Sequence, residues 1–299
     1  MEIKDIKGII PPIVTPVTSD EKIDEKGLIN LINYVIDGGV HGVFILGSNG
    51  EFFSISFEEK LRAIEIGAKA VNGRVPYYVG VGEISTSECI KLAKEAEKLG
   101  ADALSVLTPM FIQPNEEEMY LHFEEIAKST SLPILLYNNP GRTTNNLSVG
   151  LVKRLSKIKN IVGIKNTSMD FAQNMKMIEA TKDEEFVLLC GTDFYINATL
   201  SHGGVGAVAG TANVAPRLVS DIYDKFVAGD MEGSIKAQYD LMPLRDAYGK
   251  GTFPVVMKEC LNILGVEVGQ PIKPVRNCSE EVRKELESML KVLPTIEFK

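Results

Sequence analysis

The sequence lacks the excess of positive charge that nucleic acids and anionic membranes require of their protein partners. It has 32 lysines and arginines against 40 aspartates and glutamates, a formal net charge of -8, and no dense run of basic residues. The segment 1–14 carries acids beside its lysines and prolines within its short apolar stretch, which is typical neither of a signal peptide nor of a membrane span. We therefore predict a cytoplasmic protein that binds neither nucleic acid nor membrane.

Two binding motifs are also missing. Cys89, Cys190, Cys260 and Cys278 are widely spaced, without a CxxC pair and without histidine at metal-ligand spacing. We therefore predict reduced thiols and no bound metal. The segment 80–85 (GVGEIS) lacks the third glycine of the GxGxxG fingerprint, which argues against a dinucleotide cofactor.

What the sequence does contain is a regular alternation of short apolar runs and amphipathic segments. The runs lie at 8–17, 42–47, 75–82, 103–109, 133–140, 161–167, 186–193 and 206–211. The segments between them carry helix signals, such as Ser56 before one periodic stretch and Asn115 before three consecutive glutamates. Eight such units in about 200 residues predict a closed (β/α)8 barrel of the TIM type, because open parallel sheets usually have about five or six strands.

Beyond Pro216 the strand signal ends. Three helical segments follow, at 235–247, 253–264 and 280–290, separated by glycine and proline. No linker composition marks an independent domain. We therefore predict a barrel over 1–220 and a helical extension over 221–299, packed together as one structural unit.

Lys165 is the strongest functional signal. It follows the apolar run 161–164, which has the composition of a buried parallel strand. Its amine is therefore expected at the carboxyl end of a strand, where barrel active sites lie, and partly out of water. A desolvated amine loses its proton more readily, and the neutral amine can attack a carbonyl to form a Schiff base. Lysines at strand ends can also simply extend to solvent. The residues predicted near Lys165 therefore decide whether a catalytic role is expected.

Other predicted strands also end in polar groups suited to a keto acid. Ser48 and Asn49 lie in a glycine-flanked turn, where amides and side chains can bind a carboxylate. A phenol, Tyr137, and a guanidinium, Arg142, follow the fifth run. Because parallel strands end at the same face of a barrel, we expect these groups near Lys165.

With these residues in view, the chain resembles the dihydrodipicolinate synthase and N-acetylneuraminate lyase family of pyruvate-dependent Schiff-base aldolases. The motifs that carry the resemblance are GSNGE at 47–51, YNNP at 137–140 and GIKNT at 163–167. It extends from the opening segment 8–16 to segment 254–258 and the closing helices, which is nearly the whole chain.

The resemblance implies a role for each position. Lys165 would condense with the keto carbon of pyruvate, and Tyr137, beside Ser48, would pass protons as the general acid and base. The substrate-binding positions would be Ser48, Asn49, Arg142, Thr167, Asp193 and Val208. The partners would be a small-molecule keto acid and an aldehyde. Because the enamine forms on a protein lysine, no cofactor is implied.

One departure concerns the proton relay. Phe111 stands where most members have a tyrosine that reaches into the neighbouring subunit's site, and a phenyl ring cannot transfer a proton. The relay must shorten to Ser48 and Tyr137, use water, or be replaced. Phe111 and Met110 are predicted at a subunit contact, since members of the family are typically tetramers or dimers, and we expect a homo-oligomer by resemblance.

The substrate signals are mixed. Ser48 and the Asn166-Thr167 pair after the lysine are typical of the sugar-acid lyases, whereas Arg142 is typical of the synthases. We favour an aldolase that cleaves or forms a 2-oxo-3-deoxy sugar acid or hydroxy-oxo acid. The first alternative is a dihydrodipicolinate synthase that condenses pyruvate with aspartate semialdehyde. The second is a non-catalytic keto-acid sensor, suggested by the missing phenol at Phe111.

Overall fold

A computed structural model describes residues 1–296. Its strands are β1 (Gly8–Ile9), β2 (Val43–Ile45), β3 (Tyr77–Val81), β4 (Ala103–Leu107), β5 (Ile134–Asn138), β6 (Ile161–Asn166), β7 (Val187–Cys190) and β8 (Gly206–Ala207). Neighbouring strands from β2 to β8 pair in parallel, and β8 pairs with β1. A parallel bridge between Pro12 and Phe44 joins the segment after β1 to β2 and closes the ring. The predicted (β/α)8 barrel is confirmed.

The helices alternate with the strands and then continue beyond them. They are α1 (Glu25–Asp37), α2 (Phe57–Val71), α3 (Thr86–Lys98), α4 (Glu116–Lys128), α5 (Pro140–Thr143), α6 (Val149–Leu155), α7 (Phe171–Thr181), α8 (Ile196–Ser201), α9 (Pro216–Val227), α10 (Met231–Asp240), α11 (Met242–Ala247), α12 (Val255–Ile263) and α13 (Glu280–Leu290). Ser56 caps α2 by accepting from the Glu59 amide, and Asn115 forms a capping box with Glu118. Both predicted helix starts are therefore correct, because local capping chemistry determines them.

The first and last strands are much shorter than predicted. The run 8–17 contains only β1 and the single bridge at Pro12, because prolines at 11 and 12 have no amide to donate to a strand ladder. The run 206–211 ends as a strand at Ala207, and Gly210–Asn213 turns into a 3-10 helix. The end of this run therefore leaves the sheet.

The C-terminal extension differs from its prediction in one helix. The segment 235–247 is not continuous: α10 ends at Asp240, and Pro243, which lacks an amide hydrogen, lies in the first turn of the separate helix α11. The helix predicted at 280–290 is α13, and the one at 253–264 is α12. The division at residue 220 stays a prediction, and it falls inside α9.

Two apolar clusters fix which way the strand side chains point. The smaller one contains Leu135 of β5 and Leu189 of β7, together with Phe44 and Tyr78, and fills the barrel interior. The larger one lies between strands and helices. Because alternate residues of a strand share a face, the side chain two positions after Leu135 also points into the barrel. Within residues 1–296, no helix is both long enough and apolar enough to cross a bilayer.

Candidate active site

A cavity of about 420 Å³ opens at the carboxyl ends of the strands. It is lined by every side chain predicted to be catalytic or substrate-binding: Ser48, Asn49, Tyr137, Arg142, Lys165, Thr167, Asp193 and Val208. The fold thus brings these residues together, as expected for strand ends in a barrel. What each of them does remains a prediction.

Lys165 lies at the inner wall of this cavity. It is buried, with 3% of its surface exposed, and its register partner on β7 is Leu189 of the interior cluster. Its ammonium nitrogen lies 3.7 Å from the centre of the Tyr137 ring and 5.2 Å from that of Phe44. Within residues 1–296, no carboxylate oxygen lies within 4.0 Å of it. The amine is therefore held among aromatic faces, and no carboxylate of the described residues pairs with it.

Tyr137 is placed beside Lys165 by the sheet itself. The two residues are direct register partners on β5 and β6, so their side chains project together. The Tyr137 hydroxyl lies 3.3 Å from Ser48 Oγ and accepts a hydrogen bond of 3.0 Å from Asn139 Nδ2. Burial alone would raise the pKa of Tyr137. The positive charge of Lys165 and the hydrogen bonds from Ser48, Lys165 and Asn139 outweigh burial and lower this pKa.

The turn after β2 carries the other polar groups near the phenol. Residues Ser48–Gly50 form one turn of 3-10 helix, and both Ser48 and Asn49 are 7% exposed. Asn49 Nδ2 donates one of its two hydrogens to the Pro12 carbonyl, which leaves the other N–H to donate to another partner. The Ser48 hydroxyl links this turn to Tyr137. The turn therefore presents one hydroxyl and one fixed amide to the cavity.

The side chains that follow β6, β7 and β8 differ in whether they have hydrogen-bond partners. The Thr167 hydroxyl oxygen is buried and makes no hydrogen bond within the described chain. Asp193 accepts from the amides of Gly210 and Thr211 at 3.2 and 2.8 Å. Its carboxylate thus holds the turn after β8. Val208 is an apolar wall residue, 3% exposed.

The C-terminal extension supplies cavity residues that the sequence analysis missed. Arg142 stacks on Phe253, with 4.4 Å between the guanidinium carbon and the ring centre. Arg245, which lies within α11, and Tyr248, which directly follows this helix, also line the cavity. Both residues lie beyond the last strand. The alternation of strand and helix that predicts the barrel has ended there, so it does not indicate that this part of the chain meets the cavity. The nearest signal in the sequence is the segment 254–258, through which the family resemblance extends, and it contains neither residue.

Phe111 lies outside the cavity. It is 93% exposed and has a φ of 72°, in the left-handed region that bulky residues rarely adopt. Met110 beside it is partly buried against the larger apolar cluster. An exposed aromatic side chain on a strained backbone suits a subunit contact, and the predicted contact role of both residues stays a prediction.

A buried ion pair supports the turn that carries Ser48. Glu51 ends this turn at a φ of 53°, and its carboxylate lies 2.5 Å from Lys258 Nζ, with only 2% and 1% of the two side chains exposed. The second oxygen accepts from the Ile272 amide, and Lys258 also donates to the Gln270 carbonyl. Burial lowers the pKa of Lys258, and the Glu51 charge opposes this shift. The pair thus ties the turn to the C-terminal extension.

We expect Lys258→Met to destabilise the protein by about 3–5 kcal/mol, because it leaves the Glu51 carboxylate buried and unpaired. Urea unfolding followed by circular dichroism measures the change. Lys250→Met is the matched control: its ion pair with Glu285 has the same 2.5 Å distance but is about half exposed, so its loss should cost less than about 1 kcal/mol. Equal, small effects in both variants would contradict the prediction.

No metal centre is apparent in the described chain: among residues 1–296, no three His, Cys, Asp or Glu side chains converge in a way that could hold an ion. The cysteines are unpaired in this part of the chain. The cavity itself is lined by an amine, a phenol, hydroxyls, a carboxylate and guanidinium groups.

Comparison with known proteins gives consistent matches across the chain. The model of the "Dihydrodipicolinate synthetase family" matches residues 5–293. The chain is 37% identical over 290 residues to the 4-hydroxy-tetrahydrodipicolinate synthase of Methanopyrus kandleri, with 96% of each protein covered.

Solved structures agree with this match. YagE of E. coli K12, a prophage protein belonging to the dihydrodipicolinic acid synthase family and solved in complex with pyruvate, superposes with a TM-score of 0.93 at 33% identity, covering 96% of this chain and 98% of that chain. A monomeric dihydrodipicolinate synthase variant superposes with a TM-score of 0.93 at 31% identity, with 97% of each chain covered.

Proposed function

Because the chain belongs to the dihydrodipicolinate synthetase family, whose enzymes are lyases of the class I aldolase type, we propose that it activates pyruvate as a Schiff base on Lys165. The observation that carries this proposal is the Lys165 amine itself. It is 3% exposed, faces the Tyr137 ring at 3.7 Å and lines the cavity at the strand ends. A buried amine without a carboxylate partner in the described chain is suited to attack a carbonyl carbon.

The proposed steps use only groups of this chain. The Lys165 nitrogen adds to the keto carbon of pyruvate, and loss of water gives the iminium ion. Loss of a proton from the methyl carbon gives an enamine, whose carbon then attacks the aldehyde carbon of the second substrate. Tyr137 exchanges protons with the carbinolamine and with the new alkoxide, with Ser48 3.3 Å away as the next group in the relay. Hydrolysis of the imine releases the product and restores the free amine.

The pyruvate carboxylate is assigned to the turn after β2. Ser48 and Asn49 both line the cavity, and Asn49 is fixed by its bond to Pro12. The buried Glu51–Lys258 pair holds the end of this turn. Such a preorganised turn binds a carboxylate without rearranging, which favours a productive orientation of the keto carbon.

For the second substrate, the synthase alternative is better supported than the sugar-acid reading that the sequence favoured. Relatives at about 37% identity over nearly the whole chain are 4-hydroxy-tetrahydrodipicolinate synthases. The guanidinium of Arg142 lines the cavity and has no carboxylate within 4.0 Å in residues 1–296. It is available for the carboxylate of aspartate semialdehyde. We therefore propose condensation of pyruvate with aspartate semialdehyde as the reaction.

A sugar-acid aldolase remains the second candidate, on a specific observation. The Thr167 hydroxyl is buried in the cavity wall without a hydrogen-bond partner in the described chain, and a substrate hydroxyl would satisfy it. Asp193, by contrast, is already occupied by two backbone amides. A keto-acid sensor would use the same cavity but would release no product.

One experiment separates these readings. The protein is incubated with pyruvate and borohydride, and the adduct is located by mass spectrometry. Turnover is then measured with pyruvate plus aspartate semialdehyde, and by pyruvate release from a panel of 2-oxo-3-deoxy acids. We expect one adduct per chain on Lys165 and turnover with aspartate semialdehyde. Turnover only in the sugar-acid panel would favour the second candidate, and trapping without any turnover would favour the sensor.

Restoring the missing phenol tests the shortened relay. We expect Phe111→Tyr to raise kcat up to about tenfold, with the KM for pyruvate unchanged, because an added general acid lowers only the proton-transfer barriers. Phe53→Tyr, at a second exposed phenylalanine, is the matched control and should leave kcat unchanged.

The expected gain depends on a subunit contact, because Phe111 is 93% exposed and does not line its own cavity. Light scattering should therefore find a dimer or tetramer. An unchanged kcat in an oligomeric Phe111→Tyr protein would show that proton transfer follows another route. A stable monomer would refute the expected oligomer.

A further inference from the structure

Asn139 lies in the cavity wall next to the proton-transfer groups, and the steps proposed above leave it without a role. It directly follows β5, two residues after Tyr137, and is 7% exposed. The residue lines the cavity, and its Nδ2 donates a hydrogen bond of 3.0 Å to the Tyr137 hydroxyl oxygen. The carboxamide therefore acts on the phenol directly.

Local hydrogen bonds hold the backbone of Asn139 in place. The residue is the N-cap of α5 and is followed by Pro140, whose ring fixes the first turn of this helix. Its carbonyl oxygen accepts from the amides of Arg142 and Thr143, at 3.0 Å each, and from the Thr143 hydroxyl at 3.1 Å. That hydroxyl in turn accepts a bond of 2.9 Å from Thr108, which follows β4. The carboxamide is therefore positioned before a substrate binds.

The direction of the bond determines what Asn139 does to the phenol. An amide nitrogen donates hydrogen bonds and does not accept them, so Asn139 uses a lone pair of the Tyr137 oxygen and cannot take its proton. Ser48 Oγ lies 3.3 Å from the same oxygen and, as a hydroxyl, can accept. The Tyr137 proton is therefore directed to Ser48 or to a substrate oxygen in the cavity.

Asn139 differs from Lys165 and Ser48, which also bond the phenol, because the proposed reaction leaves it unchanged. The Lys165 nitrogen becomes part of the iminium ion and loses two of its three hydrogens. Ser48 is assigned to the relay and to the turn that holds the pyruvate carboxylate. The Asn139 bond therefore persists when Tyr137 gives up its proton, and a hydrogen-bond donor stabilises the phenolate that results.

The charges around the phenol can be kept constant while this bond is removed. The charged and titratable side chains that line the cavity with Tyr137 are Lys165, Arg142, Asp193, Arg245 and Tyr248. Burial raises the pKa of Tyr137, whereas the charge of Lys165 and the hydrogen bonds, including that from Asn139, lower it. An uncharged side chain at position 139 leaves all of these charges in place, so a changed pKa reports the lost hydrogen bond.

We infer that Asn139 is a positioning residue of the proposed aldol reaction. Its carboxamide donates to the Tyr137 oxygen, directs the phenol proton towards Ser48 and the substrate, and stabilises the phenolate left when that proton passes to an alkoxide. The phenolate recovers a proton when it next acts as a base, so the proton balance closes over the cycle. The inference rests on the proposed function for the identity of the reaction.

Tyrosinate absorbance tests the bond without substrate or turnover. The absorbance is recorded against pH in the wild-type protein and in Asn139→Leu, and the curve of the corresponding Tyr137→Phe protein is subtracted to isolate Tyr137. Burial raises the pKa values of Tyr77, Tyr78 and Tyr248, so these phenols ionise at higher pH. We expect Asn139→Leu to move the Tyr137 transition to higher pH, because the phenolate loses a donor.

In turnover, kcat should change and pyruvate binding should not. Asn139→Leu should lower kcat about ten- to a hundredfold, as for one lost hydrogen bond to a charged group. The KM for pyruvate should stay within about threefold, because the pyruvate carboxylate is assigned to the turn after β2. The limb of the pH–rate profile that depends on Tyr137 should move to higher pH with the absorbance curve. A residue that only supports the fold would move neither curve.

Asn139→Asp keeps the shape of the side chain and replaces the donor by a carboxylate oxygen. It should also lower kcat at least about tenfold and move the Tyr137 transition to higher pH, because a negative charge beside the phenol disfavours the phenolate. Circular dichroism checks that both variants fold. Because this variant is nearly isosteric with wild type, it tests the inference even where Asn139→Leu folds poorly.

Asn160→Leu is the matched control. The Asn160 amide donates to the Ala127 and Thr130 carbonyls, at 2.9 and 3.2 Å, and the residue directly precedes β6, outside the cavity. This variant loses a side-chain amide at the opposite end of the strands. It should leave kcat and the Tyr137 transition unchanged.

Three outcomes overturn the inference. An unchanged Tyr137 transition in Asn139→Leu would show that the amide does not act on the phenol. Wild-type kcat in Asn139→Asp would mean that a donor is not needed at this position. A raised KM for the acceptor with unchanged kcat would make Asn139 a substrate-binding residue instead. Failure of the proposed function is recognised separately, as an absent adduct on Lys165, and the absorbance titration of the free protein still decides whether Asn139 acts on Tyr137.

Discussion

Lys165→Ala is expected to abolish both the borohydride adduct with pyruvate and turnover, lowering kcat by more than about four orders of magnitude. Without this amine no other group in the cavity can form the imine. Lys165 has no carboxylate partner within 4.0 Å in residues 1–296, so its removal leaves no buried charge unpaired. The fold should therefore survive, which circular dichroism and urea unfolding can verify.

The control for this result is a second buried lysine. Lys60 is 5% exposed but forms an ion pair with Glu83, and it does not line the cavity. Lys60→Met should keep the adduct on Lys165 at full yield. Mass spectrometry of the intact chain and of its peptides measures both variants. An adduct of equal yield in Lys165→Ala would end the Schiff-base assignment of this residue.

Tyr137→Phe is expected to lower kcat by about a hundred- to ten-thousand-fold, the usual range for a lost general acid and base. The phenol lies 3.3 Å from Ser48 Oγ, is hydrogen-bonded by Asn139 and has a lowered pKa despite burial. It is therefore more acidic than an ordinary buried tyrosine, which favours proton exchange. Because the ring remains beside Lys165, the KM for pyruvate should change by less than about tenfold.

Tyr77→Phe is the matched control for Tyr137→Phe, because it also removes the hydroxyl of a buried tyrosine. The Tyr77 hydroxyl donates to the Ile64 carbonyl and lies outside the cavity, so this variant should lose about 1 kcal/mol of stability and little activity. Steady-state rates are measured for both variants. The rate of imine formation in a single turnover, followed by borohydride trapping, then compares the chemical step directly. A Tyr137→Phe rate close to wild type would move the proton-transfer role to another group.

The sequence alone determined the barrel and the residues at its strand ends. Strand-like runs and helix caps are local signals, since apolar composition indicates burial and Ser56 or Asn115 satisfies the first amides of its own helix. Once the strands are parallel, their carboxyl ends share one face. For this reason Lys165 and Tyr137 could be predicted in one cavity from two separate segments.

Strand lengths and helix breaks were predicted less well, and proline explains both cases. The prolines at 11 and 12 stop the β1 ladder, and Pro243 in the first turn of α11 separates this helix from α10. In each case the apolar pattern continues through the segment while the backbone donor is missing. Hydrophobic periodicity reports burial, but it does not report whether an amide is available for the next hydrogen bond.

Only the tertiary structure determined which parts of the extension meet the barrel. The Glu51–Lys258 pair and the presence of Arg245 and Tyr248 in the cavity wall join segments far apart in the chain. Hydrophobic periodicity and helix caps are local signals, so those of the barrel do not predict contacts with the extension. Such contacts depend on how the whole extension packs over the strand ends. Burial removes water from these charged groups, and the fold then leaves Lys258 with a partner and Arg245 without one in the described chain.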